Sequence, residues 1–250
     1  MHDYTPAPGL LNGRIILVTG AGGGIGKAAA RSFAAHGASV ILLDKAVPAL
    51  EAVYDEIVQA GHPQPAIYPM NLEGAAPQDY EELAAALERE FGRLDGLLHN
   101  AAFLGTLTPL AQYNVETWFK VMQVNLNAPF LLTRACLPLL ERSQDASIVF
   151  TSDSVGRKGK AYWGAYGVSK FGLEGIMQIL ADELEGMPAI RVNSIDPGPV
   201  RTLMRNRAYP AENPAGLATP EQIMGVYLYL MGPDSKGISG QALDAQPAAG

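Results

Sequence analysis

Cys136 is the only cysteine in the chain. An intrachain disulfide is thereby excluded, and such sparing use of cysteine fits a reducing compartment. Charged residues are few, at 17%, and they lean acidic: 25 Asp and Glu against 18 Lys and Arg, a formal net charge of -7. The clustered Lys and Arg of a nucleic-acid surface are missing. No apolar run comes near the ~20 residues needed to cross a bilayer; IMGVYLYLM at 223–231 is typical of the longest. The N-terminal MHDYTPAPGLLNGR has an acid and two prolines where a secretory signal needs a basic start and an apolar stretch. No repeat, linker or low-complexity tract interrupts the sequence. The expectation is a cytoplasmic protein with neither membrane nor nucleic-acid partners.

What is present is apolar. With 48% hydrophobic residues in 250, a sizeable core can be buried. Short β-branched and aliphatic runs at 14–19, 39–44, 65–70, 94–101, 147–152 and 189–195 predict six strands, with a seventh near 241–244. Between them, helical patterns cover 27–37, 49–61, 78–92, 115–142, 165–185 and 220–231. The 115–142 segment carries Pro129 and Pro138, which bend it or mark its end. Strands apolar on both faces that alternate with helices predict a parallel sheet covered on both sides. The expected fold class is α/β: a single Rossmann-type domain over 1–250, doubly wound, with about seven strands.

The first predicted strand runs into Thr19-Gly20-Ala21-Gly22-Gly23-Gly24-Ile25-Gly26 and then a helix. Glycines at such a junction let backbone N–H groups approach a pyrophosphate, at a helix end whose partial positive charge favours an anion. The second strand ends in Asp44, whose carboxylate can accept from ribose hydroxyls and would repel the 2′-phosphate of NADP. That points to NAD ahead of NADP. Lys45, next in sequence, softens the repulsion.

Tyr166 and Lys170 in Y-G-V-S-K are four apart on a predicted helix and so share a face. Moving hydride at a carbinol carbon needs a proton partner at its oxygen. A free tyrosine, with a pKa of ~10, is too weak a base near neutral pH, and a nearby ammonium favours its ionised form. Lys170 is the one lysine with a tyrosine four residues before it; Tyr162 has Tyr166 at that offset.

The T-G-x-x-x-G-I-G spacing, followed by Y-G-V-S-K, resembles the short-chain dehydrogenase/reductase family, classical branch, from residue 14 to about 245. The stretch S-V-G-R-K-G-K-A-Y-W-G-A-Y-G-V-S-K-F, with L-A-D-E-L and D-A-Q-P, is similar to a narrower subgroup, the YciK-like bacterial oxidoreductases. The resemblance implies cofactor binding by Gly20, Gly22, Gly24, Ile25 and Gly26, with Asn71 and Leu72 near the adenine. Gly23 stands where NADP-using relatives often carry a basic residue. H99-N100-A101-A102 replaces the family's N-N-A-G and places Asn100 and Ala101 against the ribose. Pro197, Gly198, Val200 and Thr202 would hold the nicotinamide, and Tyr166 and Lys170 also touch the cofactor. Asn125, ahead of its neighbour Asn127, matches the asparagine that helps hold a water linking the lysine to solvent. His99 has no metal-ligand partner in the sequence and is expected to be a structural hydrogen-bonding residue; no metal is implied. Family members are usually homodimers or homotetramers.

In this family the catalytic serine lies thirteen residues before the tyrosine and three before a glycine. Counted from Tyr166 and from Gly156, both rules land on Asp153, inside T-S-D-S-V-G. A serine hydroxyl can donate to a substrate oxygen; an ionised carboxylate cannot, and it raises the tyrosine pKa. Three arrangements are open: Ser154, or Ser152, donates after the loop shifts by one residue; a protonated Asp153 donates; or turnover is impaired.

The expected function is NAD(P)-dependent interconversion of an alcohol and a ketone or aldehyde, with Tyr166 as acid/base, Lys170 assisting, and residues 199–218 as a substrate lid. Arg201, Arg205 and Arg207 in the lid either attract an acidic substrate or form a solvated surface. The alternative is a dinucleotide-binding sensor or scaffold with weak turnover.

Overall fold

The computed structural model describes residues 4–186 and 189–247. The first three residues of the segment inspected above for targeting signals lie outside them. Seven parallel strands form one sheet in the order β3-β2-β1-β4-β5-β6-β7. They are β1 (Ile15–Thr19), β2 (Ser39–Asp44), β3 (Ala66–Pro69), β4 (Gly96–His99), β5 (Ala146–Thr151), β6 (Ile190–Asp196) and β7 (Ala242–Asp244). The helices are α1 (Gly24–Ala35), α2 (Val47–Gln59), α3 (Pro77–Phe91), α4 (Val115–Met122), α5 (Ala128–Leu140), α6 (Gly164–Glu183), α7 (Leu203–Ala208) and α8 (Met224–Met231). This is the expected doubly wound Rossmann architecture.

Burial explains why the strands alternate little in polarity. All six residues of β5 and all four of β4 are buried, because each face of the sheet meets a helical layer. Phe33, Leu50 and Tyr227 fill one side, and Tyr80, Leu132 and Met177 the other. The strand order reverses between β1 and β4, each neighbour running the chain away from the other. The crevice at the carboxyl ends of those two strands is where such sheets bind ligands.

Four elements differ from expectation, the first being α7, which lies in a stretch with no predicted helix. The long helix expected over 115–142 is two helices joined by a π turn, Gln123–Asn127. Pro129 has no N–H to give the carbonyl of Asn125, so one helical bond is absent there, and the widened turn carries Asn125 into the interior. Strand β4 stops at His99 because the N–H groups of Asn100 and Ala101 turn to the Thr19 hydroxyl, at 2.9 and 3.0 Å. The 220–231 helix opens with a 3₁₀ turn, Pro220–Ile223, before α8 begins.

At the opposite end of the strands, Asp145 bridges Arg14 and Arg191. The two guanidiniums outweigh the burial of its carboxyl and hold the Asp145 pKa below the ordinary value.

Candidate active site

The glycine loop after β1 is shaped by contacts that leave no room for side chains. A Cβ on Gly26 would stand 2.1 Å from the Gly20 carbonyl oxygen and 2.6 Å from Asn100 Nδ2. Gly20, at φ +69, takes a left-handed conformation that other residues adopt with strain. Gly23 caps α1 with no side-chain acceptor, and nothing lies within 4 Å of where its Cβ would be. The space beside Gly23 at the start of α1 is therefore open, as a phosphate site requires.

Beside this loop, Gly20, Asp44, Asn71, Leu72 and Ala101 line one cavity of about 150 Å³. Four of the residues expected at the adenosine end are thus brought together with Gly20 of the phosphate loop. Asp44 Oδ2 accepts from the Gly22 N–H at 3.2 Å, and its Oδ1 from Ala46 N–H at 3.1 Å, which aims the carboxylate along the cavity wall. Lys45 lines the same cavity. Asn71 Oδ1 accepts from the Glu73 N–H. Asn100 is tied to the loop itself, donating from Nδ2 to the Thr19 carbonyl at 3.2 Å. His99 is buried, hydrogen-bonds Thr133 Oγ1 at 2.8 Å and stacks on Phe150. Burial lowers its pKa to about 3; it is a neutral structural residue, and among the described residues no cluster suits a metal ion.

On the other side of the crevice, Pro197-Gly198 follows β6. Gln246 Nε2 donates to the carbonyls of Pro197 and Pro199, and Gly198, at φ +66, packs on that side chain. Val200 pairs with Ala218. Thr202 caps α7 by accepting from the Arg205 N–H, and its methyl lies 3.5 Å from where a Gly24 Cβ would be. Residues 199–218 therefore leave the sheet and return, with the Val200–Ala218 bridge closing the excursion. Arg205 is held by Glu212 through two 2.6 Å bonds, and Arg201 points at the carbonyls of Ala215 and Leu217. These two arginines brace their own segment.

Tyr166 and Lys170 of α6 are both buried, with Nζ 5.5 Å from the phenol ring centre. Lys170 Nζ donates to the Thr151 carbonyl at 2.6 Å; burial lowers its pKa to about 8 against the opposing pull of Asp153, Glu174 and Asp196. Gly156 lets the loop after β5 close on this lysine, since a Cβ there would stand 2.8 Å from Lys170 Cβ. The π turn fixes Asn125: its Oδ1 accepts from Phe103 N–H, and its Nδ2 donates to Phe103 O and to Ser169 Oγ. These bonds occupy both ends of the amide and pin the segment after β4 to α6.

The residue facing Tyr166 is Asp153. The phenol donates to its Oδ2 at 3.2 Å, while Oδ1 accepts from Val155 N–H and from Ser154 Oγ. Ser154 is exposed and bonded to Asp153. Ser152 is buried, and its Oγ meets no hydrogen-bond partner among the described residues. No one-residue shift of the loop has occurred, because the Ser152 N–H is held by the Ile195 carbonyl at 2.7 Å. The expectation that the ammonium lowers the phenol pKa does not describe this structure: burial, then Asp153, push Tyr166 well above its ordinary value.

Two participants were missed from sequence. Asp196 accepts from the Gly198 N–H at 2.9 Å, and burial raises its pKa; the D-P-G triplet was its signal. Glu174 is buried one helical turn beyond Lys170, accepts from Ser194 Oγ and faces Arg157; an acid at that offset was visible.

A glycine cradle, a cavity at the switch point and a buried Tyr–Lys pair are the marks of a dinucleotide-dependent class of oxidoreductase. The chain belongs to the short-chain dehydrogenase family, whose model matches residues 14–213. It is 49% identical to the uncharacterized oxidoreductase YciK of Escherichia coli K12, over 99% of this chain and 97% of that protein, so the narrower resemblance is borne out. A short-chain dehydrogenase structure from Pseudomonas syringae is 65% identical, with a TM-score of 0.96 over 98% of this chain and 99% of that one. One from Shigella flexneri 2a, complexed with NADP, is 48% identical, with a TM-score of 0.94 over 96% and 100%.

Proposed function

We propose that the protein interconverts an alcohol and a ketone or aldehyde with NAD(P), the proton being handled at Tyr166 with Lys170 in support. The observation that carries this is the buried Tyr166–Lys170 pair beside the carboxyl end of β5. Burying an ammonium on a lone carbonyl partner is unfavourable, and a site that uses its charge accounts for it. The cradle fits a dinucleotide: Gly20, Gly22, Gly24, Ile25 and Gly26 would hold the pyrophosphate, Asp44, Asn71, Leu72, Asn100 and Ala101 the adenosine, and Pro197, Gly198, Val200 and Thr202 the nicotinamide. When bound, the dinucleotide supplies the hydride donor or acceptor. A scaffold without turnover is not favoured, since it leaves the Tyr166–Lys170 pair without a use.

Asp44 supports NAD ahead of NADP, because its carboxylate stands where a 2′-phosphate would approach. The Shigella flexneri relative nevertheless carries NADP, and Lys45 is the cation of this chain that would meet the extra phosphate. Residues 199–218 serve as the lid: Tyr209, just past α7, packs on Trp163, which itself packs on Tyr166. Tyr162, at φ +73, is the one non-glycine residue with positive φ among those described, and it borders this aromatic wall.

Val168, Phe171 and Ile179 form an exposed apolar stripe on α6, with Phe119 on α4 and Phe130 on α5 also exposed. Such a surface supports self-association as a homodimer or homotetramer, and glutamate at both Phe171 and Ile179 should lower the mass measured by light scattering.

The function is tested by following nicotinamide absorbance with NAD(H) and NADP(H) against a panel of secondary alcohols and their ketones. Tyr166→Phe should lower kcat by about 10²-fold or more with dinucleotide affinity unchanged. Full activity in that variant would sink the proposal.

A further inference from the structure

We propose that Asp153 is the terminal proton acceptor during alcohol oxidation, with the Tyr166 phenol acting as a neutral relay. This inference rests on the function proposed above and adds a chemical role that the family serine cannot play.

The geometry is a donor–acceptor chain. Tyr166 Oη donates to Asp153 Oδ2 at 3.2 Å, which leaves the phenol oxygen's lone pairs to accept from a substrate hydroxyl. Asp153 is oriented for this: its Oδ1 is occupied by Val155 N–H and Ser154 Oγ, so Oδ2 is the free acceptor of the proton. A serine at this position would present a donor and suit a carbonyl oxygen. The carboxylate presents an acceptor, so the pair is built to receive an alcohol.

In the oxidising step the substrate O–H proton passes to Tyr166 Oη as the phenol passes its own proton to Asp153 Oδ2. The carbinol C–H bond breaks, its electron pair leaving as hydride to the oxidised dinucleotide, and the C=O bond forms. Atoms and charge balance, and Tyr166 begins and ends as a phenol. That agrees with burial and Asp153 both disfavouring tyrosinate. The reverse step requires protonated Asp153, so carbonyl reduction should weaken as pH rises while oxidation persists at lower pH than a tyrosinate mechanism allows.

The charged and titratable groups facing Asp153 are Tyr166 and Lys170 of α6, Asp196 at the end of β6 and Arg205 of α7. Two of the three charged neighbours, Lys170 and Arg205, are cations.

The test compares wild type, Asp153→Asn and Asp153→Ser, both replacements being able to cap the 3₁₀ turn at Ser154–Gly156 that Asp153 now caps. Two measurements are made: pH profiles of oxidation on the alcohol panel, and the Cζ resonance of Tyr166 in the cofactor-free protein, assigned with Tyr166→Phe. In wild type that resonance should show a pH-dependent inflection that is absent from Asp153→Asn. Asp153→Asn should oxidise about 10²-fold more slowly. Asp153→Ser should oxidise with its acid limb moved upward by about one pH unit or more. Superimposable profiles, or a resonance without the inflection, overturn the inference and leave the proposed function standing. So does a wild type inactive where Asp153→Ser turns over. Absence of turnover in every variant, with dinucleotide bound, removes the function and this inference together.

Discussion

The ammonium of Lys170 donates to the backbone oxygen of Thr151, the last residue of β5, across 2.6 Å. With the Ser194–Glu174 bond it ties α6 to the sheet, yet burial makes the charge unfavourable, with the lysine pKa lowered to about 8. A lysine titrating lower when folded than its ordinary 10.5 makes the folded state less stable wherever both forms are charged. Lys170→Met should therefore raise the melting temperature, by up to about 3 kcal/mol in stability, while abolishing turnover. A calorimetric scan beside an activity assay checks both; a destabilised variant would show that the bond to Thr151 outweighs desolvation.

Gly26→Ala should cost more than a helix-favouring residue gains. Its methyl would meet the Gly20 carbonyl at 2.1 Å, so the loop must open. We expect a loss of about 1–3 kcal/mol in stability and loss of dinucleotide binding, measured by thermal shift with and without NAD⁺. Gly23→Ala, in open space, is the control and should fold normally.

Under the proposed function, Asp44 should weigh the choice between the two dinucleotides. Asp44→Ser should strengthen NADP⁺ binding by about tenfold, the loss of roughly one close charge repulsion, and weaken NAD⁺ binding. Titration calorimetry with both cofactors checks the direction. Equal affinities in wild type would show that Lys45 already cancels the carboxylate.

Acid should destabilise the fold through His99. Its folded pKa, about 3, lies below the ordinary 6.5, so between those values the unfolded chain binds more protons. Stability attributable to His99 is complete above about pH 6.5 and falls by roughly 1.4 kcal/mol per unit as pH drops toward 3. His99→Gln, which can still bond Thr133, should flatten that slope in urea unfolding series measured at several pH values.

Much of the fold was legible because its signals are local. Seven runs such as SVILLD announced strands, and each glycine-terminated helix followed in order. What escaped depended on contacts distant in sequence. The π turn opened at Pro129 is held where Asn125 reaches the backbone of Phe103, and β4 ends early because Thr19 captures two N–H groups. Neither partner is near in the chain. At the site, the thirteen-residue count found Asp153, but whether the loop shifted was decided by Ile195, a residue on another strand. Burial, the larger cause of the raised Tyr166 pKa, was hidden for a similar reason, while the push from Asp153 was legible: spacing reveals the charges and says nothing of how dry their surroundings are.

The segment from Pro199 to Ala218 leaves and rejoins the body at one point, where Val200 pairs with Ala218 and the Arg201 N–H meets the Ala218 carbonyl. Its internal bracing, Arg205 on Glu212 and Arg201 on Ala215 and Leu217, stays within its own span. Such a piece is a cassette. Grafting residues 203–217 from a relative of known preference, which spares Val200 and Thr202, should under the proposed function transplant what is acted upon without disturbing how the coenzyme is gripped.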